Sequence, residues 1–205
     1  MLDLNMDLIE KGGILMYPIL FLSILSLAIF LERMVTLRSA RYVPTAFKEK
    51  LKQALNAKDV DEAIAMCGRD NSALANVCKD ILSNLDLPLQ RLMETAEESG
   101  RYQATRLTRF LSSLQAIASI APLLGLLGTV LGMIKTFIVI GDQGVGNAQA
   151  LAGGISEALI TTAAGLSVAI PTVVFYYLIR YRSNRVTIEL ERATSDVINQ
   201  VFKEA

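Results

Sequence analysis

"GISEALITTAAGLSVAIPTVVFYYL", residues 154–178, is apolar and long enough to cross a bilayer, yet its first half carries Glu157, Thr161 and Thr162. About 20 residues at about 1.5 Å each span the hydrocarbon core, so the stretch reads as a membrane helix with a carboxylate inside it. An ionisable group there costs at least a few kcal/mol unless it faces protein or water. Fold and function both turn on what that carboxylate meets.

Residues 12–31 and 116–140 have the same apolar character, and 52% of the 205 residues are hydrophobic. This exceeds the usual share in soluble domains, about 45 to 50%. Twenty acidic and twenty basic residues cancel to zero net charge, so no nucleic-acid partner is expected. The third helix has two candidate starts in "NAQALAGGIS", residues 147–156: Ile155, or Ala148 with Asn147 as its N-cap.

Basic residues gather on one side of the three spans. Arg33, Arg38 and Arg41 follow the first, Arg101, Arg106 and Arg109 precede the second, and Arg180, Arg182 and Arg185 follow the third. Lys11 before the first span stands among Asp3, Asp7 and Glu10, and residues 141–154 contain no Lys or Arg. The positive side is the cytoplasmic one. The reading is therefore a periplasmic amino terminus (1–11), transmembrane helices over 12–31, 111–140 and 154–179, a cytoplasmic helical region (32–110), a periplasmic loop (141–153) and a cytoplasmic carboxy-terminal helix (180–205). An acidic leader, a long apolar core and no small-residue cleavage site in "LERMVTLRSA" (31–40) mark the first span as a retained anchor, not a signal peptide.

The cytoplasmic region reads as helices with short connections. "DVDEAIAMC" (59–67) begins with Asp59 and Glu62 in capping-box spacing, and "NSALANVCKDIL" (71–82) starts at Asn71 or Ser72. Pro88 opens a long helix that is expected to run on into the second span, with Gly100 its only weak point. Its mixed charges, from Glu94 to Arg109, form either i,i+4 pairs or a collar between subunits. In the last stretch Val186, Leu190, Val197 and Val201 recur at helical spacing, an apolar face for which another chain is a plausible cover.

Histidine is absent, and Cys67 and Cys78 are eleven apart with no companion ligands. They read as packing residues, so no metal, cofactor or disulfide is expected. No nucleophile, base and orienting group recur together, and no glycine-rich loop follows a strand, so no catalytic residue is assigned and an enzyme is not expected.

Two stripes of small residues mark the inner spans: Ala121, Gly125, Thr129, Gly132 and Thr136, then Gly154, Ala158, Thr162, Gly165 and Ala169. Together with Gly128, the glycines and alanines suit close helix packing. Thr129 and Thr162 lie near mid-membrane, where they could line one polar file. Lys135 stands about 9 Å beyond Thr129 and Glu157 about 7.5 Å before Thr162 along their helices. In antiparallel spans the two charges reach similar depth. They form a charge pair, more readily between subunits than facing a pore, or Lys135 snorkels to the headgroups.

"LLGLLGTVLGMIKTF" (123–137) and the 154–178 stretch resemble the second and third spans of the MotA/TolQ/ExbB proton-channel family, in its ExbB and TolQ branches. The resemblance covers essentially the whole chain, including the "ER" pair after the first span. It implies an all-α membrane protein with long helices extending into a helical cytoplasmic region, and a homopentamer in the bacterial inner membrane. Such a pentamer surrounds two single-span partners of the ExbD/TolR type, which carry the proton-accepting aspartate, and acts with a TonB- or TolA-like protein. The implied function couples proton-motive force to mechanical work on the envelope, either outer-membrane transport or envelope maintenance. The resemblance assigns Thr129, Thr162 and Glu157 to the proton pathway. Thr161 and Lys135 are further candidates for the pathway or a charge pair, with Lys135 standing where many relatives have a neutral polar residue. The four-span flagellar stator pattern does not fit three spans. The remaining alternative is a passive oligomeric scaffold whose stripes only pack.

Overall fold

The computed structural model describes residues 11–37, 42–143 and 148–203, and these are helices joined by short turns. Asp3, Asp7, Glu10, Arg38, Arg41 and the proposed cap Asn147 lie outside the described residues. Three helices are long and apolar enough to cross a membrane: α1 (Met16–Thr36) and two longer ones treated below. Between them lie α2 (Thr45–Asn56), α3 (Val60–Arg69), α4 (Ala73–Leu82) and α5 (Leu89–Leu107). The second apolar helix is α6 (Leu111–Gln143) and the third is α7 (Ala148–Lys203). At 56 residues, α7 is about 84 Å long, far more than the hydrocarbon core requires.

α7 is helical from Ala148, the earlier of the two starts, so residues 148–153 are helix and not loop. A second difference lies at Thr108–Phe110. The helix expected to continue from Pro88 into the second span is instead two helices, α5 and α6, and Phe110 between them is left-handed with φ 66°. A bulky residue adopts that conformation at a cost of order 1–3 kcal/mol, accepted only where surrounding structure dictates it. The Phe110 carbonyl then receives the Leu114 amide (3.1 Å) and begins α6. Gly100 is not the break; it lies inside α5 with open space beside it.

The chain divides into two compact units. The first comprises the described residues of Met1–Leu31 and Phe110–Leu178. Its outward side chains, among them Phe21, Ile24, Phe137, Leu159 and Ile170, are large, apolar and exposed. Left in water, each such side chain would forgo about 1.5–3 kcal/mol of burial; in lipid the exposure carries no penalty. Phe30 of α1 stacks on Phe175 of α7, with ring centroids 4.0 Å apart.

The second unit comprises Glu32–Arg109 and Ile179–Ala205. Its helices begin where capping chemistry places them: Asp59 accepts the Glu62 amide (2.9 Å) and Ser72 accepts that of Ala75 (3.2 Å). Phe47, Leu51, Leu74, Val77, Ile81 and Leu92 form one core with Leu190 and Val197 of α7. The apolar face of the carboxy-terminal helix is thus largely covered by its own chain and does not need the second chain expected from its sequence. Lys48 reinforces the contact with an ion pair to Asp196 (2.7 Å), and the Gln200 amide donates to the Lys52 carbonyl (3.1 Å). Arg91–Glu94 and Arg101–Glu97 pair along α5 at 3.3 and 2.6 Å. These are exposed same-helix pairs worth a few tenths of a kcal/mol each. Cys67 and Cys78 are free and buried in this core. Burial pushes the Cys67 thiol up to about 11, helped by the nearby Asp70 carboxylate, and pushes Cys78 up as well. Both are packing groups held as thiols.

Candidate functional site

The two small-residue stripes meet each other within one chain. A methyl added to Gly125 would lie 3.0 Å from the Thr162 Cα, one on Gly132 would lie 2.7 Å from the Gly154 carbonyl, and one on Gly165 would lie 2.6 Å from the Ala121 carbonyl. The paired numbers run in opposite directions, so α6 and α7 are antiparallel, with backbones close enough that Cβ atoms are excluded at three levels. Ala121, Gly125, Gly128, Gly132 and Thr136 are buried on α6, as are Ala158, Thr161, Gly165 and Ala169 on α7. The packing role assigned to these residues is a contact between two helices of one chain.

One shoulder of that contact belongs to the side of α1. A Cβ on Gly128 would fall on the Thr161 side chain. The buried Thr161 hydroxyl lies 2.7 Å from both the Gly12 and the Glu157 carbonyls. A hydroxyl has one hydrogen, so these two acceptors share it. On the same shoulder Lys135 Nζ contacts both carboxylate oxygens of Glu157, at 2.6 and 2.8 Å. The two charges are thus paired inside one chain, and no subunit boundary is needed to bring them together. The Glu157 side chain is 21% exposed and that of Lys135 59%. In water such a pair would be worth little. In lipid the comparison is with two separated ions at a few kcal/mol each, and pairing lowers that cost.

Thr129 and Thr162 occupy the opposite shoulder. At about 100° per residue, both lie about 50° to one side of their stripe's centre, while Lys135 and Glu157 lie about 70° and 90° to the other. Both threonines are half-buried. The Thr162 hydroxyl donates across the interface to the Gly125 carbonyl (2.9 Å), and the Thr129 hydroxyl donates to the Leu126 carbonyl of its own helix (2.6 Å). Each proton is committed to a carbonyl of α6. What remains for a visitor is lone pairs, which suit a donor such as a neutral carboxylic acid better than a carboxylate.

The structure therefore divides the assigned residues into two groups: Thr129 with Thr162, and Lys135, Glu157 and Thr161. It adds two that sequence reasoning missed. Gly12 supplies a carbonyl to Thr161, and Gly13, left-handed at φ 71°, leaves room for the Glu157 carboxylate, on which a Cβ would fall. The glycine pair at the mouth of the first span was the available signal.

Three apolar helices with paired small-residue stripes and two polar shoulders make this a helical membrane subunit. The profile of the MotA/TolQ/ExbB proton channel family matches residues 69–192. An ExbB-like 3 biopolymer transport protein of Synechocystis sp. is 32% identical over 191 residues, covering 82% of this chain and 81% of its own length. The biopolymer transport protein ExbB of Neisseria meningitidis is also 32% identical, covering 87% and 86%. The ExbB of Aquifex aeolicus is 47% identical over a shorter stretch, 36% of this chain and 51% of its own. The chain belongs to the MotA/TolQ/ExbB proton channel family, as a membrane channel subunit and not an enzyme.

Proposed function

We propose that the chain is the proton-channel subunit of an ExbB-like motor in the bacterial inner membrane, a homopentamer around single-span partners of the ExbD/TolR type. Its amino terminus is periplasmic and its carboxy terminus cytoplasmic, in keeping with the one-sided placement of Lys and Arg. The motor energises outer-membrane transport through a TonB-like protein, in line with the ExbB relatives; envelope maintenance through a TolA-like protein is the closely related task. The observation that carries the reading is the pair of half-buried hydroxyls of Thr129 and Thr162 on one open shoulder, their protons turned to carbonyls.

A partner aspartate arriving beside them as a neutral acid donates its proton to a threonine oxygen. As an anion it finds no free donor there without breaking the Gly125 or Leu126 bond. The shoulder thus favours the protonated carboxyl in the middle of the membrane, and release of the proton lies toward the cytoplasmic end. The potential contributes about 2.3 kcal/mol per charge per 100 mV and sets the direction. Glu157 contributes to the outer end of this pathway from the other shoulder.

Proteoliposomes holding the chain with its partner test the reading. Thr162→Val keeps the shape and removes the oxygen; proton influx should fall by about tenfold or more, equivalent to about 1.4 kcal/mol of barrier, while the complex remains assembled. Thr129→Val should act in the same direction and Thr162→Ser should restore most of the flux. Undiminished flux in the double valine variant would return both residues to packing and leave a passive scaffold.

A further inference from the structure

We infer that Gly13 and Lys135 are positioning residues that together clamp the Glu157 carboxylate, so that this group stands at the outer end as a fixed, internally neutralised charge and not as a mobile proton carrier. The inference rests, for its functional meaning, on the proposed pathway; its geometry does not.

Two residues meet the carboxylate, and a third contact holds the segment that one of them belongs to. Lys135 binds both of its oxygens at 2.6 and 2.8 Å, leaving neither without an ionic partner. Gly13 packs against the same group: its backbone is left-handed, and the place a Cβ would occupy is taken by Glu157 Oε1, with Cδ at 2.9 Å. Thr161, one turn along α7 from Glu157, then ties the adjoining Gly12 carbonyl to the helix (2.7 Å). This bond fixes the height of the glycine pair against the carboxylate. The same residues bound a small cavity of about 150 Å³ lined by Gly12, Gly128, Lys135, Glu157 and Thr161.

Each part of the clamp has a reason to be the residue it is. Any side chain at position 13 would suffer twice, from the left-handed backbone and from collision with the carboxylate. A displaced carboxylate would lose the bidentate contact that makes Lys135 tolerable within the apolar run. A neutral residue at position 135 would leave Glu157 uncompensated. With the lysine in place the cluster has no net charge, and the shoulder that carries Thr129 and Thr162 is free of it.

The test uses the full chain in lipid nanodiscs. The infrared carboxylate band that disappears in Glu157→Gln reports the state of this group. It should shift in Lys135→Met and shift likewise in Gly13→Ala, while Lys135→Arg and the control Gly153→Ala, a glycine with open space around it, leave it nearly unmoved. Gly13→Ala should lower the melting temperature by several degrees in the native background and by distinctly less when Glu157→Ala has removed the obstacle. A band unmoved by Gly13→Ala, or an equal melting loss in both backgrounds, would overturn the clamp. Should Gly13→Ala alone not fold, it is placed in the Lys135→Met, Glu157→Ala background, where neither the carboxylate nor an unpaired lysine is present: recovery of folding there supports the clamp, and a Gly13→Ala that fails as before while its background folds overturns it. Proton flux with the partner is measured separately. Shifts as expected with unchanged flux would uphold the clamp and strike only the role of Glu157 in the pathway.

Discussion

Thr161 and Thr162 are adjacent and carry the same side chain, but about 100° of helix rotation gives them different neighbours. Thr161 is 1% exposed and bonded to Gly12 and Glu157 carbonyls; Thr162 stands on the open shoulder and bonds to Gly125. Substituting valine should therefore separate two effects. Thr161→Val removes a bond that ties the Gly12 carbonyl to α7 and should lower stability by about 0.6 to 1.7 kcal/mol, the range of interhelical hydrogen bonds in membranes. Its remaining assembled fraction should conduct protons at close to the native rate. Thr162→Val also removes an interhelical bond, to Gly125 (2.9 Å), and should cost a similar amount of stability, but it should bring a large loss of flux where Thr161→Val does not. Melting and flux measured on the same preparations check the division, and equal flux losses in the two variants would refute it. Helical periodicity could not make this distinction, which in the sequence came only from the family resemblance. On both helices the two candidate residues lie about 50° either side of the stripe's centre, Gly128 against Thr129 and Thr161 against Thr162, so periodicity alone is symmetric between them. The first span breaks the symmetry by covering one shoulder.

At the scale of elements, the stripes themselves were legible, because small residues every three or four positions in an apolar helix have few uses other than close approach. Their partner was not, since a stripe on one helix does not name the stripe it meets. α6 and α7 use theirs on each other, and Gly165 is the tightest test: a Cβ there would lie 2.6 Å from the Ala121 carbonyl and 3.1 Å from the Gly125 Cα, both of them main-chain atoms that cannot swing aside. Gly165→Leu should cost at least the 1–3 kcal/mol typical of overpacking, whereas Gly153→Ala, in open space, should stabilise by about 0.5–1 kcal/mol. Thermal melts of the two variants should move in opposite directions, and a neutral Gly165→Leu would mean that the helices are not in contact there. Helix starts with side-chain caps, at Asp59 and Ser72, were readable from local chemistry. The break at Phe110 was not: Thr108, Arg109 and Phe110 include neither glycine nor proline, and a left-handed phenylalanine is a conformation that local propensity does not announce. The carboxy-terminal face was recognised as apolar, while its cover by α2 and its neighbours depends on contacts about 150 residues apart in sequence, such as Lys48 with Asp196, which no local pattern encodes.

For the whole molecule the question is what one copy leaves unburied. In the membrane unit the stripes are satisfied, yet the shoulder with Thr129 and Thr162 is half-open, and polar groups on lipid-facing surface are disfavoured. In the other unit Leu89, Met93 and Ile188 are exposed outside the three apolar stretches, where no lipid core would cover them. Each observation favours further copies of the chain or a partner span, and the family resemblance supplies the number five. The purified chain in mild detergent should therefore appear in native mass spectrometry as a pentamer with little free monomer. Adding the single-span partner should produce a heavier species without displacing any of the five. Thr162→Val should leave the count unchanged, since valine keeps the shape of the residue and the loss is of one hydrogen bond within a single chain. Gly165→Leu, which strikes that face, should lower the pentamer fraction together with the melting temperature. A folded monomer at concentrations where the helical content is native would refute the assembly. A stable oligomer of another number would keep the assembly and remove the pentamer, and the space for a partner would then have to be derived from that number.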